Sequence, residues 1–477
     1  MSIITRNKTS SRQGRHNSKP ARTIIYNAQM LAGPELEHVT RGRLEICGKL
    51  IASVSRTSKD GQDSLPEGRD CALLDGSGLL IIPAFVNAHT HIGDSIGKDI
   101  GASLGLDERV NPVFGIKKNI LEKTPPEQIK AFMRFSAISM LKNGIVNFAD
   151  FREGGRRGVM LLKEALKGLP IRAVVLGRSQ HGYDQVQPQE RQSDARNDDS
   201  ASELQPASTA GIKGSQGAPE AGRIDNEITD LLDDADGLGL SGANEHSDST
   251  LSRYQSLVHQ AVGRRAKSTQ GMREKPLVAI HAAESTEAVN TSKALTGKTE
   301  VERILRALEP DILVHLTKAT EQELASIAAR GIGVVVCPRA NGVLGVGFPP
   351  VSLMLELGCT VALGTDNVML NSPDMFREMD YVWKACRALD SGKARTGMLE
   401  PRQVLKMATV NGGKVLGVNT GCIAPGMSAD LLFIDVNHID ISPMHDPYAA
   451  IVQRAGPDCI KGVMASGEFV GLVPSNK

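Results

Sequence analysis

Six residues carry the chemistry this sequence suggests: His89 and His91 in Asn87-Ala88-His89-Thr90-His91, His281 and Glu284 in His281-Ala282-Ala283-Glu284, His315, and Asp366 in Gly364-Thr365-Asp366-Asn367. In an extended chain, residues two apart point to the same side, so His89 and His91 project together. Neutral imidazole is a common ligand for borderline metals, and two at this spacing bite one ion. A lone His-x-His is weak, because surface and core histidines show the same spacing. Its weight comes from the other four residues, each of which ends or follows a short apolar run. His89, His91, His281 and Asp366 make an N3O set suited to one divalent metal, zinc first and Fe(II) as the alternative. Such an ion lowers the pKa of water that it binds towards about 7. Glu284 is the candidate proton shuttle. His315 would polarise the nucleophile or stabilise developing negative charge, and Asp366 would also accept a hydrogen bond from the attacking group.

The elements that must position these residues are short strands alternating with helix-like segments. Eight strands are read at Leu79–His91, Gly144–Phe151, Ile171–Arg178, Asp236–Gly242, Leu277–Glu284, Ile312–Thr317, Gly333–Arg339 and Thr360–Asn367, the Gly-rich fourth having little β propensity. Amphipathic stretches such as Pro126–Asn143 and Thr320–Arg330 lie between them. Eight such units predict an α/β fold, a (β/α)8 TIM-like barrel over residues 81–417. In that architecture active sites lie at the C-terminal ends of the strands, where the six residues fall. The β-rich segments 23–80, read as antiparallel, and 418–477 each lack a core, so they predict a small β-sandwich formed by both termini. Residues 1–22 read as a disordered basic tail, and 185–223, rich in Ser, Gln, Asp and Gly, as a disordered insertion.

Composition excludes several classes. Lys+Arg 55 against Asp+Glu 54 leaves no global basic field for nucleic acid or membrane. The seven cysteines are scattered and form no Cys-x-x-Cys, so a reducing, cytoplasmic setting is expected rather than a disulfide framework. No run approaches the roughly 20 apolar residues of a membrane helix.

The motifs together resemble the amidohydrolase superfamily, specifically its cytosine deaminase, guanine deaminase and chlorohydrolase-like branch. PAFVNAHTH resembles its first metal-binding strand, HAAES its His-x-x-Glu signature, GTDN its strand-eight aspartate, and ATVNGGKVLG followed by GCIAPGMSADLLFID its C-terminal signature. The resemblance implies a hydrolase of non-peptide C–N bonds, foremost a deaminase of a nitrogen heterocycle. Release of chloride, opening of a cyclic amide and a non-catalytic scaffold are the alternatives. Dinuclear members use a carboxylated lysine from the fourth strand; Asp236–Gly242 has none, which implies a single metal. A small-molecule heterocyclic amine is the implied partner, and a homodimer is possible by the same resemblance. Substrate contacts are expected from Arg152 and Glu153 after strand two, Arg178 and His181 after strand three, and Arg339 after strand seven. These arginines either meet a polar, anionic substrate or pair with loop carboxylates.

Overall fold

The computed structural model describes residues 22–56, 71–180, 218–266, 273–391 and 398–471. Its parallel sheet runs Phe85–His91, Ile145–Arg152, Arg172–Gly177, Gly237–Leu240, Leu277–Ala282, Ile312–His315, Gly333–Val336 and Thr360–Leu363, each strand bonded to the next. The last strand closes the ring. Thr360–Leu363 pairs with the seventh strand, and Asp366–Asn367 pairs in parallel with Thr90 and His91 of the first. The expected TIM-like barrel is thus formed.

Alternation within the strands builds two interiors. Val174, Leu176, Ala279 and Val314 fill the barrel, whereas Val175, Ile280 and Leu313 pack outward beneath the helices. Burial on both faces is why these strands read as nearly unbroken apolar runs. The Gly-rich fourth strand has a packing reason. A Cβ on Gly237 would lie 2.0 Å from the Leu277 carbonyl oxygen, and one on Gly239 would lie 2.8 Å from the Phe151 ring. Helix starts follow local chemistry, as in the capping boxes Thr299/Glu302 and Thr320/Glu323.

Three sequence expectations change. The run Leu79–His91 is not one strand, for it breaks between Pro83 and Phe85. Leu79–Pro83 belongs to the second sheet, antiparallel to Leu431–Asp435 and parallel to part of Arg22–Ala32. The N-terminal β segment is not purely antiparallel either, since Cys71–Asp75 also runs parallel to Arg22–Ala32. The terminal strands make one continuous mixed sheet, in the order Glu468–Phe469, Ile460–Ala465, Leu431–Asp435, Leu79–Pro83, Arg22–Ala32, Glu37–Cys47, Leu50–Arg56. One face of it holds its own core of Ile25, Leu44, Ile81, Leu431 and Phe433, while Leu80, Ile82, Leu432 and Ile434 face the barrel's helices. Finally, a helix begins at Ala218, inside the expected insertion. Residues 185–217 of that insertion and residues 1–21 of the expected tail lie outside the described residues. No helix among the described residues is long and apolar enough to cross a membrane, and all seven cysteines are free.

Candidate metal centre

The first strand delivers its two histidines through an irregularity. Asn87 pairs with Phe148 and Thr90 with Asp150, so three steps on one strand match two on its neighbour. Ala88 still belongs to the inner cluster, and beyond this bulge His89 and His91 also turn inward. A bulge beside a site re-aims side chains in this way. The other strand ends bend as well. Ala283, His315, Leu316 and Asp366 all hold positive φ without being glycine. Such left-handed residues cost of order 1 kcal/mol each and concentrate where the surrounding structure fixes a functional geometry. At Gly364 a Cβ would stand 2.8 Å from the His89 Cβ and 3.0 Å from the Cys337 Sγ, so only glycine lets strand eight approach strand one.

The polar atoms converge. His89, His281, His315 and Asp366 each offer a ligand atom within 4.8 Å of the others. His89 Nε2 lies 3.2 Å from Asp366 Oδ1, and His91 Nε2 lies 3.5 Å from the same oxygen and 3.4 Å from His281 Nε2. The tautomers follow from the neighbours. His91 Nδ1 stands 2.9 Å from Glu153 Oε1 and 3.1 Å from the Phe151 carbonyl, both acceptors, so Nδ1 carries the proton. His281 Nδ1 likewise donates to the Leu240 carbonyl at 2.9 Å. Burial drives both rings to the neutral form, His91 down to about 3. Two Nε2 lone pairs therefore face each other with no proton between them. Neither ring nitrogen of fully buried His89 has a hydrogen-bond partner among the described residues. Ligands about 2.0–2.1 Å from a tetrahedral ion stand about 3.3 Å apart, which these separations fit. The residues present suit a divalent cation.

Neighbouring groups complete the electrostatics. Burial opposes ionisation of Asp366, but the His89 ring and the other histidines hold it below the usual carboxylate range. Burial first, then Asp366 and further carboxylates, pushes Glu284 well above that range. Glu284 Oε1 lies 3.5 Å from His315 Nε2. His315 Nδ1 accepts from Asn341 Nδ2 at 3.1 Å, and burial lowers its pKa to about 4. The ring is therefore neutral and turns an Nε2–H towards Glu284. Glu153, held ionised despite burial by Lys117, His91 and Arg152, is bonded to Lys117 Nζ at 2.6 Å.

A cavity of about 390 Å³ opens on this cluster, lined among others by His91, Arg178, His281, Glu284, His315 and Asp366. Of the expected substrate contacts, Arg178 alone lines it among the described residues; His181 lies outside them. Arg152 and Glu153 are corrected. Arg152 is buried, its guanidinium against Gly93, its Nη2 on Glu153 Oε2 at 2.8 Å and its Nη1 3.7 Å from Asp150, and Glu153 buttresses His91. Arg339 is likewise turned to Glu378 at 3.3 Å and to the Ser372 carbonyl. Carboxylates thus consume both arginines. Sequence reasoning missed Lys117, on the helix Ile116–Lys123 that it had not read, and Glu245 and Glu300, which also line the cavity. No spacing in the chain marks them.

Known proteins resemble this chain along most of its length. A protein of Methanothermobacter thermautotrophicus, provisionally named an aminohydrolase, is 35% identical over 447 residues, covering 94% of this chain and 98% of the relative. The 5-methylthioadenosine/S-adenosylhomocysteine deaminase of Pelotomaculum thermopropionicum is 28% identical, with 94% and 93% covered. A zinc-bound adenosine deaminase structure from Xanthomonas campestris superposes with a TM-score of 0.72 at 21% identity, over 94% of this chain and 92% of the other. The Amidohydrolase family profile matches residues 80–470. The chain belongs to the amidohydrolase family.

Proposed function

We propose that the protein is a metal-dependent aminohydrolase that removes the exocyclic amine of a nitrogen heterocycle, aminopurine nucleosides being the first class to test. The observation that carries this reading is the meeting of His91, His281, Asp366, Glu284 and His315 on one cavity, with His89 buried directly behind them against Asp366. Relatives named as adenosine-type deaminases, such as that of Pelotomaculum thermopropionicum, support the substrate class. His89, His91, His281 and Asp366 would hold a single zinc ion, or iron, which when bound supplies a Lewis acid and a nucleophilic water near neutral pH. Glu284 takes a proton from the attacking water and returns it to the departing nitrogen. Its raised pKa suits both halves of that exchange. His315 directs its Nε2–H at the charge that builds on the substrate and keeps Glu284 oriented. Water adds to the ring carbon, the C–N bond breaks, and the products are the oxo-heterocycle and ammonia.

The test is ammonia release by zinc-loaded protein from adenosine, 5-methylthioadenosine and guanine. Glu284→Gln should lower kcat by about 10³–10⁴-fold while the metal stays bound. Metal lost from that variant would make Glu284 a ligand. An inactive, fully loaded wild-type protein across the panel would reject the reading.

A further inference from the structure

The cavity holds a second group of acids that the reaction above does not use. Glu245 ends the short turn Ala243–Glu245 after barrel strand four, and Glu300 opens the helix Glu300–Ala307. Both line the same cavity as His281 and Glu284. Their carboxylates crowd one point. A Cβ built on Gly242 would lie 2.8 Å from Glu245 Oε2 and 3.4 Å from Glu300 Oε1, so Gly242 leaves open the space over which they face each other. Glu300 is 4% exposed, and its Oε2 accepts the Ala283 N–H at 3.1 Å, which ties it to the turn carrying Glu284. Glu245 Oε2 is buried and has no hydrogen-bond partner among the described residues.

The cations around them are distant or engaged. Arg178, which lines the same cavity, attracts Glu245 without standing in an ion pair with it, and its Nε donates to the Gly239 carbonyl at 3.2 Å. Among the described residues neither carboxylate stands in an ion pair. Buried Arg303, the nearest guanidinium on the helix of Glu300, is bonded to Asp248 at 2.7 Å and to the His246 carbonyl at 2.7 Å. Lys117, which also lines the cavity, is bonded to Glu153. Burial first and Glu245 second push the Glu300 pKa up to about 8, and burial raises that of Glu245. Two neighbouring acids, Glu300 buried and Glu245 half-buried, neither of them in an ion pair among the described residues, are an expense that a ligand bearing positive charge lowers.

We propose that Glu245 and Glu300 form a subsite for a protonated amine carried by the substrate, a specificity element of the cavity that rests on the aminohydrolase reading above. Of the arginines that suggested an anionic substrate, Arg152 and Arg339 are already paired with carboxylates, and Arg178 alone stays on the cavity beside these two acids.

The test measures binding, by calorimetry, to zinc-loaded Glu284→Gln protein, which holds substrate without turning it over. The probes are adenosine and its analogues in which the 3′- or 5′-hydroxyl is replaced by an amine. At least one amine should bind about tenfold more tightly than adenosine, the worth of a charge-assisted hydrogen bond. That gain should disappear when Glu300→Gln is added, and again when Glu245→Gln is added in its place. The comparison among probes needs neither variant, so misfolding of one does not blunt it. No gain for any amine, absence of binding included, overturns the proposal. So does a gain that survives both substitutions, or an equal loss for adenosine and amine, which would mark a hydroxyl subsite. Amine selectivity without ammonia release by the unsubstituted enzyme would sink the aminohydrolase reading and leave the subsite standing.

Discussion

Among the described residues, two groups set histidine among other metal-ligating side chains: His89, His281, His315 and Asp366 at the barrel mouth, and His438, Asp458 and Cys459 beside the terminal sheet. Their compositions look equally promising; their surroundings do not. At the barrel the His89 side chain is wholly buried and that of Asp366 3% exposed, whereas Asp458 is 68% exposed. Both nitrogens of His89 lack hydrogen-bond partners among the described residues, while His438 Nδ1 accepts the Asp440 N–H at 3.3 Å and meets Cys459 Sγ at 3.4 Å. The first group is shut away from solvent, with the His89 nitrogens left without hydrogen bonds; the second is open to solvent and has hydrogen-bonded neighbours. Proximity of ligand-type residues does not make a metal centre. Burial with an unmet need for positive charge does.

Four substitutions would break or sharpen that contrast. Asp366→Ala has the largest effect: cation content, by elemental analysis, should fall from one per chain to none, with turnover lost alongside it. Retention of the ion would show that the histidines suffice. Glu153→Gln comes next, since it removes the acceptor that fixes the His91 tautomer. Zinc affinity in a chelator competition should drop about 10–100-fold, and an unchanged affinity would mean that the Phe151 carbonyl does the work alone. Gly364→Ala forces a methyl against His89 and Cys337. Denaturant unfolding should register a loss of about 1–3 kcal/mol, and no loss would mean that strand eight yields freely. Smallest is Cys459→Ser, for which cation content should not change. A decrease there would raise the terminal-sheet trio to a second site and overturn the contrast.

Much of this was legible in the chain. The six chemical residues could be found because a strand that ends in His or Asp at the C-terminal rim of a barrel has one direction in which to point it, and the structure brings His89, His91, His281, Glu284, His315 and Asp366 together. What was illegible depended on partners far away in sequence. An arginine following a strand looks the same whether it awaits a ligand or, like Arg339, meets Glu378 39 residues later. Lys117 sits on a short helix with only a modest apolar pattern, and its partners Glu153 and Asp94 are set by the fold. The bulge between Asn87 and Thr90 leaves no mark in composition. Leu79–His91 read as a single strand because both sheets bury both faces there, so the apolar run does not pause where the chain changes sheets.

That change of sheets has a thermodynamic consequence. Ile81 is rooted in the core of the terminal sheet, whereas its neighbours Leu80 and Ile82 are rooted beneath the barrel, and Leu431 to Ile434 repeat the arrangement from the other end of the chain. The two bodies are riveted through shared backbone, so neither has a private melting point. A scanning calorimeter should record a single endotherm, and clipping away the first 83 residues should leave a barrel that no longer closes around its histidines.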